Sequence, residues 1–476
     1  MINKILLLLS LVSFSACEIS TQQARKPIVF QPISQTDIAQ AVLYEANIRQ
    51  YSSEGTFNAF AKDLPLLKSM GVKILWLMPI NPISKIKSKG PLGSYYAVSS
   101  YNKVNPEFGT LDDFKALVRK AHELGIFVIL DWVSGHTGWD HEWISTHPEF
   151  YLKNEVGEII DPIDPSTGEP FGWTDVADLD YDNKEMQEQM RQAMLYWVRE
   201  CNVDGYRIDQ AYAVPQEFYD ITFAALKEIK PLFLLAETDV NHIGGIELVS
   251  KFDASYDWPG HSLSKEIAQG KKSMQAWVEH IQGIQQVYGN DNIVVNFVSN
   301  HDENSWNGTL RESYGEAAHA IIALQYMSPG MPLIYSGQEY DLDKRLLFFE
   351  KDSFPKVAGK TMQLLKGLGE LKNNLAVLSA GNVQGEVRFI PTQRTAYQKS
   401  SENDVLVMER TKNKDTLLFI VNLKDTHAQY NMPYDASFHR YPDNKVKNLA
   451  TPYQYDMKPW EYWILSNKKL PVSSQP

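Results

Sequence analysis

The sequence predicts an α/β protein of the (β/α)8 TIM-barrel class, with an inserted domain after strand 3 and a C-terminal all-β sandwich. Three observations carry that prediction. Across residues 41–378, short β-rich apolar runs alternate eight times with polar loops and amphipathic stretches. Nearly all these runs are continuously apolar, as strands buried on both faces must be. Beyond residue 378 the alternation stops, and residues 404–408 and 416–423 form apolar runs joined by a polar turn, a hairpin pattern. Right-handed crossovers repeated eight times over roughly 340 residues favour closure into a barrel with insertions.

The N-terminal residues read as an address. Lys4 supplies a positive charge and residues 5–12 are apolar apart from Ser10. The run falls short of the ~20 apolar residues that a bilayer-spanning helix needs. Ser15 and Ala16 directly before Cys17 resemble a bacterial lipoprotein cleavage site. That resemblance implies a signal peptide over residues 1–16, acylation of Cys17, and an exported periplasmic or cell-surface lipoprotein anchored to the membrane. Residues 17–37, polar and carrying Pro27 and Pro32, read as the lipid-proximal tether.

Within the barrel, expected over residues 38–135 and 183–378, the first strand opens at Val42, Leu43 and Tyr44. A helix after Thr56 carries Phe57, Phe60, Leu64 and Leu67 at helical spacing. Pro65 must kink or split it, lacking the N–H that the ladder needs. Residues 72–78 (VKILWLM) are the second strand. Residues 110–124 form the clearest helix: Thr110 with Asp113 makes a capping box, Phe114, Leu117, Val118 and Ala121 share a face, and Gly125 ends it. The third strand spans residues 126–133. The longest interruption, residues 136–182, is rich in Trp, Pro, Asp and Gly and reads as the inserted domain. A stripe of Met186, Met190, Ala193 and Trp197 marks the helix leading to the fourth strand, residues 203–208. Residues 232–236, 254–256, 293–298 and 332–335 complete the eight. Residues 379–467, with a further strand at 460–465, read as the sandwich and 468–476 as a tail.

Composition narrows the function. Of 476 residues, 43% are hydrophobic and 22% charged, ordinary for a globular chain. With 46 Lys and Arg against 58 Asp and Glu, the net charge of -12 argues against nucleic acid and against a polybasic membrane patch. Two cysteines, Cys17 and Cys201, exclude a disulfide scaffold, and with Cys17 acylated Cys201 is an isolated thiol, most simply a buried one. Aromatic residues, at 12%, mostly serve a core but also suit stacking on the flat faces of sugars or bases.

Chemistry in this barrel class gathers at the C-terminal ends of strands. Here Asp131 ends the third strand and leads to His136. The fourth ends Gly205-Tyr206-Arg207-Ile208-Asp209, the fifth Ala236-Glu237-Thr238-Asp239, and the seventh runs into Ser299-Asn300-His301-Asp302. Each alone reads as a cap, a loop solvator or an ion-pair partner. Together they direct three carboxylates, an arginine and two histidines at one axial pocket. Crowded like charges raise at least one pKa, so one acid keeps its proton near neutrality. That suits cleavage of a glycosidic bond, in which one carboxylate attacks while another protonates the leaving oxygen. Arg207 lies two residues before Asp209, on the same side of the strand, where its cation is expected to keep Asp209 ionised.

The motifs DWVSGH at residues 131–136, GYRID at 205–209, AETD at 236–239 and FVSNHD at 297–302 resemble, in order and placement, those of the α-amylase family of glycoside hydrolases. The resemblance implies Asp209 as nucleophile, Glu237 as general acid/base and Asp302 as stabiliser of the oxocarbenium-like transition state. Arg207, His136 and His301 would orient the nucleophile and the central sugar, and Tyr96 would be the aromatic platform beneath it. It further implies hydrolysis of α-1,4 bonds in starch and maltooligosaccharides by double displacement with retention. Transglycosylation, disaccharide isomerisation and α-1,6 cleavage share the same acids. A catalytically silent glucan-binding lipoprotein is the alternative from another class, and it has no need of an acid/base pair.

The pattern departs from the family at two places. Gly135 stands where an Asn that commonly ligates structural calcium is usual, which argues against that metal site. Asp175, Asp178, Asp180 and Asp182 remain as oxygen ligands, although a solvated acidic loop is their simpler reading. No metal ligand and no organic cofactor is assigned. After Asp209 the chain runs Gln210-Ala211-Tyr212-Ala213, without the Lys-His pair that some amylases use on the leaving sugar. Trp139, Trp143, Trp173 and Trp306 are candidates for subsite walls, and each equally suits packing.

Overall fold

The computed structural model describes residues 31–471 except 290, 395–404, 433 and 451–453. The signal segment, Cys17, Asp404 and residues 472–476 lie outside the described residues. Eight parallel strands close into a barrel: Val42–Ala46, Val72–Leu77, Phe127–Trp132, Gly205–Ile208, Phe233–Ala236, Ala254–Tyr256, Ile293–Asn296 and Met331–Tyr335. Each pairs with its neighbours in chain order, and the first closes on the eighth through Leu43 beside Leu333. These are the eight apolar runs, with ends that differ by no more than two residues: the first is longer by two, the eighth starts one earlier, the sixth is unchanged and the rest are shorter.

Because strand side chains alternate, one row per strand faces the axis. Its lower members, Leu43, Ile74, Ile129, Phe233, Leu235, Ile293 and Leu333, form one buried apolar cluster. Further up, the same rows turn polar: Leu43 is followed by Glu45, Ile129 by Asp131, Gly205 by Arg207 and Leu235 by Glu237. Gly205 has a physical requirement, since a Cβ there would sit 1.8 Å from the Phe233 carbonyl oxygen. The barrel floor is sealed by Ile33 and Ile38, buried in the same cluster. Ile38 belongs to a short helix, Gln35–Ala39, capped by Ser34 and Asp37. The folded chain therefore reaches back into residues 33–37, expected as tether, because these isoleucines plug the apolar end of the barrel.

The helices follow their sequence signals. Leu111–Glu123 carries the full Thr110–Asp113 capping box and buries Phe114, Leu117, Val118 and Ala121. Pro65 enters at the start of Leu64–Ser69, and a 3-10 turn at Ala61–Asp63 divides this helix from Phe57–Phe60. Lys184–Cys201 buries Met186, Met190, Ala193 and Trp197. Cys201 at its end is a free thiol, buried and pushed up to about 11 by desolvation, and hence inert as a nucleophile. No helix among the described residues is long and apolar enough to cross a membrane.

Between the third and fourth strands the chain leaves the barrel, and His136–Gly138 pairs antiparallel with Val176–Asp178. After the eighth strand, the helix Lys360–Asn374 leads to antiparallel sheets of six and three strands. Val407 and Ile420 of one sheet share a core with Tyr430 and Met457 of the other, making a sandwich. Arg410, fully buried, donates to the carbonyls of Met327 and Ser379 and ties the sandwich to the barrel.

Candidate active site

The polar upper rows converge on Arg207. Its guanidinium is fully buried, with Nη1 2.7 Å from Asp131 Oδ1 and 2.9 Å from Asp209 Oδ1, and Nη2 2.6 Å from Glu237 Oε1. Aromatic faces surround it: its central carbon lies 5.0 Å from the ring centre of Trp76, 5.9 Å from Tyr96 and 6.0 Å from Tyr256. Such faces favour a cation through their quadrupoles and exclude the water that would screen it. Deleting one partner of a buried ion pair costs about 3–5 kcal/mol, and here one cation serves three carboxylates.

Burial, then the neighbouring Glu237, push Asp209 up, and the Arg207 guanidinium pulls it down towards its charged form. One positive charge divided among Asp131, Asp209 and Glu237 does not neutralise all three. Asp131 is likewise raised, by burial above all. Arg207, fully buried, lies beneath the cavity in contact with Asp209.

A second chain of contacts runs across the top of the barrel. His301 Nδ1 lies 2.5 Å from Glu45 Oε1, and its Nε2 lies 2.9 Å from the Tyr96 hydroxyl and 3.4 Å from Asp302 Oδ2. Tyr96 donates in turn to Asp131 Oδ2 at 3.0 Å, which also receives Trp76 Nε1 at 3.1 Å. Burial opposes charge on His301, but Asp302 and Glu45 prevail and raise the imidazole to about 9. His136 faces no such excess, and burial lowers it to about 4, leaving it neutral. Two histidines of one pocket thus carry different charges at neutral pH.

A prediction follows from Glu45. The ordinary imidazole value is 6.5 and the folded value about 9. The stability drawn from this ion pair is therefore complete below about 6.5 and is lost as pH rises through about 9. Glu45→Gln removes one of the two carboxylates that hold the proton. The alkaline limb of its kcat/KM profile should move to lower pH, as should the onset of its loss of thermal stability. An unmoved limb would show that His301 does not depend on Glu45.

Above these groups lies a cavity of about 380 Å3 whose lining includes Tyr96, His136, Asp209, Glu237, His301 and Asp302. The structure thus brings six of the seven expected site residues to one wall, with Arg207 under it. Gln210, at the end of the fourth strand, has positive φ and donates its N–H to Glu237 Oε2 at 2.8 Å, setting the carboxyl at the mouth. Asp302 is followed by a π-turn, Glu303–Asn307, in which Trp306 swings out to the rim. Glu303 pins this turn from behind through His261 and Lys265, at 3.0 and 2.9 Å.

Of the four candidate tryptophans, Trp173 and Trp306 line the cavity. Trp143 is packed in the core, and Trp139 lies under the Lys87 ammonium. Sequence reasoning missed Glu45, Lys89, Ser94, Phe348 and Phe349 as site residues, and used Asp131 only as a strand-end acid. Glu45 carried a signal, being an acid within an otherwise apolar strand. The others sit in loops without a pattern, and only the fold brings them to the rim.

The acids offered for calcium do not form a cage. Asp175 pairs with Lys89 at 2.9 Å, Asp178 accepts from the Ile163 N–H, and Asp180 accepts from the Asp182 N–H. Gly135 brings no side-chain oxygen. Among the described residues no group of three or more His, Cys, Asp or Glu could hold a metal ion.

Residues 29–156 and 171–227 match the model of the alpha amylase catalytic domain. Alpha-amylase 3 of Dictyoglomus thermophilum is 26% identical over 335 residues, 64% of either chain. This chain spans between half and two thirds of the length of that relative and of two other amylases it matches. A crystal structure of an alpha-amylase from Lactobacillus plantarum superposes with a TM-score of 0.78 at 26% identity, covering 91% of this chain and 100% of the other. A maltogenic alpha-amylase from Thermotoga neapolitana does so with a TM-score of 0.78 at 27% identity, covering 90% and 99%.

Proposed function

Because the chain belongs to the α-amylase family, we propose that it is a retaining glycoside hydrolase that cleaves α-glucosidic, mainly α-1,4, bonds of starch and maltooligosaccharides. The observation that carries this reading is the meeting of Asp209 and Glu237 on one buried guanidinium at the floor of a sugar-sized cavity.

In the proposed first step, Asp209 attacks the anomeric carbon and Glu237 gives its proton to the departing glycosidic oxygen, so the C–O bond breaks as the Asp209 ester forms. In the second, Glu237 takes a proton from water, whose oxygen attacks the same carbon and returns Asp209 to a carboxylate. Two inversions amount to retention. Asp302 and the His301 imidazolium hold ring hydroxyls, and the negative charge of Asp302 faces the sugar where positive charge develops. The hydrogen bonds of Tyr96 to His301 and Asp131 fix its ring as the platform. Neutral His136, lining the same cavity, donates to or accepts from the sugar.

Incubation with maltoheptaose and soluble starch tests the proposal, with chromatography of products and NMR of the anomer first released. New reducing ends in the α-configuration are expected. Lengthened oligosaccharides without net hydrolysis would assign the transfer reaction instead, and unchanged glucan would sink both. Export and acylation at Cys17 complete the proposal, supported by the Ser15-Ala16-Cys17 motif behind an apolar run. Palmitate labelling of the full chain, lost in Cys17→Ala, is the corresponding test.

A further inference from the structure

One segment of the rim is fastened in a way the reaction itself does not require. Between the second strand and Tyr96, the residues Lys85, Lys87 and Lys89 recur at every second position, and each engages the excursion that follows the third strand. The Lys85 N–H donates to Asp140 Oδ2 at 2.8 Å. The Lys87 ammonium lies 3.2 Å from the ring centre of Trp139, and Trp139 donates from Nε1 to the Thr174 carbonyl. Lys89 Nζ pairs with Asp175 Oδ1 at 2.9 Å and reaches the Gly172 carbonyl at 3.4 Å. The next residues turn to the other side of the cavity. Leu92 donates its N–H to the Phe349 carbonyl at 3.0 Å, and Gly90, at φ 63°, lies so close to Phe349 that a Cβ there would stand 2.5 Å from its side chain. Arg49, buried, holds the far end through the carbonyls of Leu92 and Gly93.

Residues 85–93 therefore form a strap that joins the excursion to the loop after the eighth strand. Its one cavity-facing cross-link is Lys89 with Asp175, both of which line the pocket. The strap runs straight into Ser94 and Tyr96, and Lys89, Ser94, Tyr96 and Asp175 line the same cavity as Glu237 and Gln210. Lys89 can donate to, and Asp175 accept from, the hydroxyls of a terminal sugar.

We propose that the strap closes the donor end of the cleft, and that Lys89 and Asp175 make the enzyme act on non-reducing chain ends rather than within a glucan. This rests on the α-glucan reading given above and adds the direction of attack.

The test compares p-nitrophenyl maltoheptaoside carrying a free non-reducing end with the same compound capped there by a 4,6-ethylidene group, products being followed by chromatography. Wild-type protein should cleave the capped compound roughly 100-fold less efficiently, the scale on which a closed pocket rejects added bulk. Lys89→Ala and Asp175→Ala should each raise the capped-to-free ratio of kcat/KM about tenfold, whereas Lys89→Arg, which keeps the ion pair, should leave the ratio low. Equal rates on both compounds with wild-type protein would overturn the closed end while leaving the α-glucan reading intact. An unchanged ratio in both alanine variants would overturn the assignment to this ion pair. Failure to cleave either compound would overturn the underlying reading and this inference with it.

Discussion

Replacing Glu237 by Gln should reduce kcat on starch or maltooligosaccharides by about 10^3-fold or more, within the range by which positioned acids and bases contribute. The amide keeps the shape of the carboxyl and still accepts from Gln210 N–H, so the fold should survive. It cannot deliver a proton to the glycosidic oxygen. The deficit should therefore shrink on an α-glucosyl fluoride, whose leaving group departs without protonation. A second signature separates this role from a merely structural one. Glu237 is the largest charge raising Asp209 after burial itself. Removing it lowers the pKa of Asp209, so the acid limb of the kcat/KM profile should move to lower pH. Wild-type turnover in Glu237→Gln would refute its assignment as the acid.

Asp209→Gly should be the more severe loss, about 10^4-fold or greater, because the covalent route disappears with the nucleophile. The stereochemistry of rescue distinguishes it from the acid/base variant. Azide supplied to Asp209→Gly fills the space below the sugar and attacks the α-glucosyl fluoride once, giving the β-glucosyl azide. Azide supplied to Glu237→Ala attacks from the upper side after Asp209 has already reacted, giving the α-glucosyl azide. One inversion against two is read directly from the anomeric coupling by NMR. The same azide anomer from both variants would overturn the double-displacement assignment. Asp209→Gly also frees Arg207 Nη1 of one of its two carboxylates, leaving Asp131 as its partner there. The fold should therefore hold, because Asp131 and Glu237 still neutralise the guanidinium.

Much of this architecture is legible in the chain because it rests on local periodicity. A strand buried on both faces must be apolar throughout, and eight such runs separated by helices leave few topologies. The Thr110–Asp113 box and Pro65 act within one turn of the chain, so their effects follow from their neighbours alone. The reacting carboxylates are legible for a related reason: a charged residue closing an apolar run has to emerge at the strand end, and strand ends meet at one mouth.

The rest depends on distances between segments far apart in sequence. Nothing near Asp209 says that its cation also serves Asp131 and Glu237, so that burial and Glu237 push Asp209 up while Arg207 pulls it down. Glu45 and His301 lie 256 positions apart along the chain, yet their contact keeps one histidine charged while His136, in the same wall, is neutral. Lys89 becomes a rim residue only because the excursion folds back to place Asp175 against it. Periodicity specified the elements and the chemistry at their ends. Tertiary structure alone decided how charge is apportioned among those groups and which loop residues reach the cavity, because electrostatic energy and contact depend on separation in space and on access of water, neither of which is written in the order of residues.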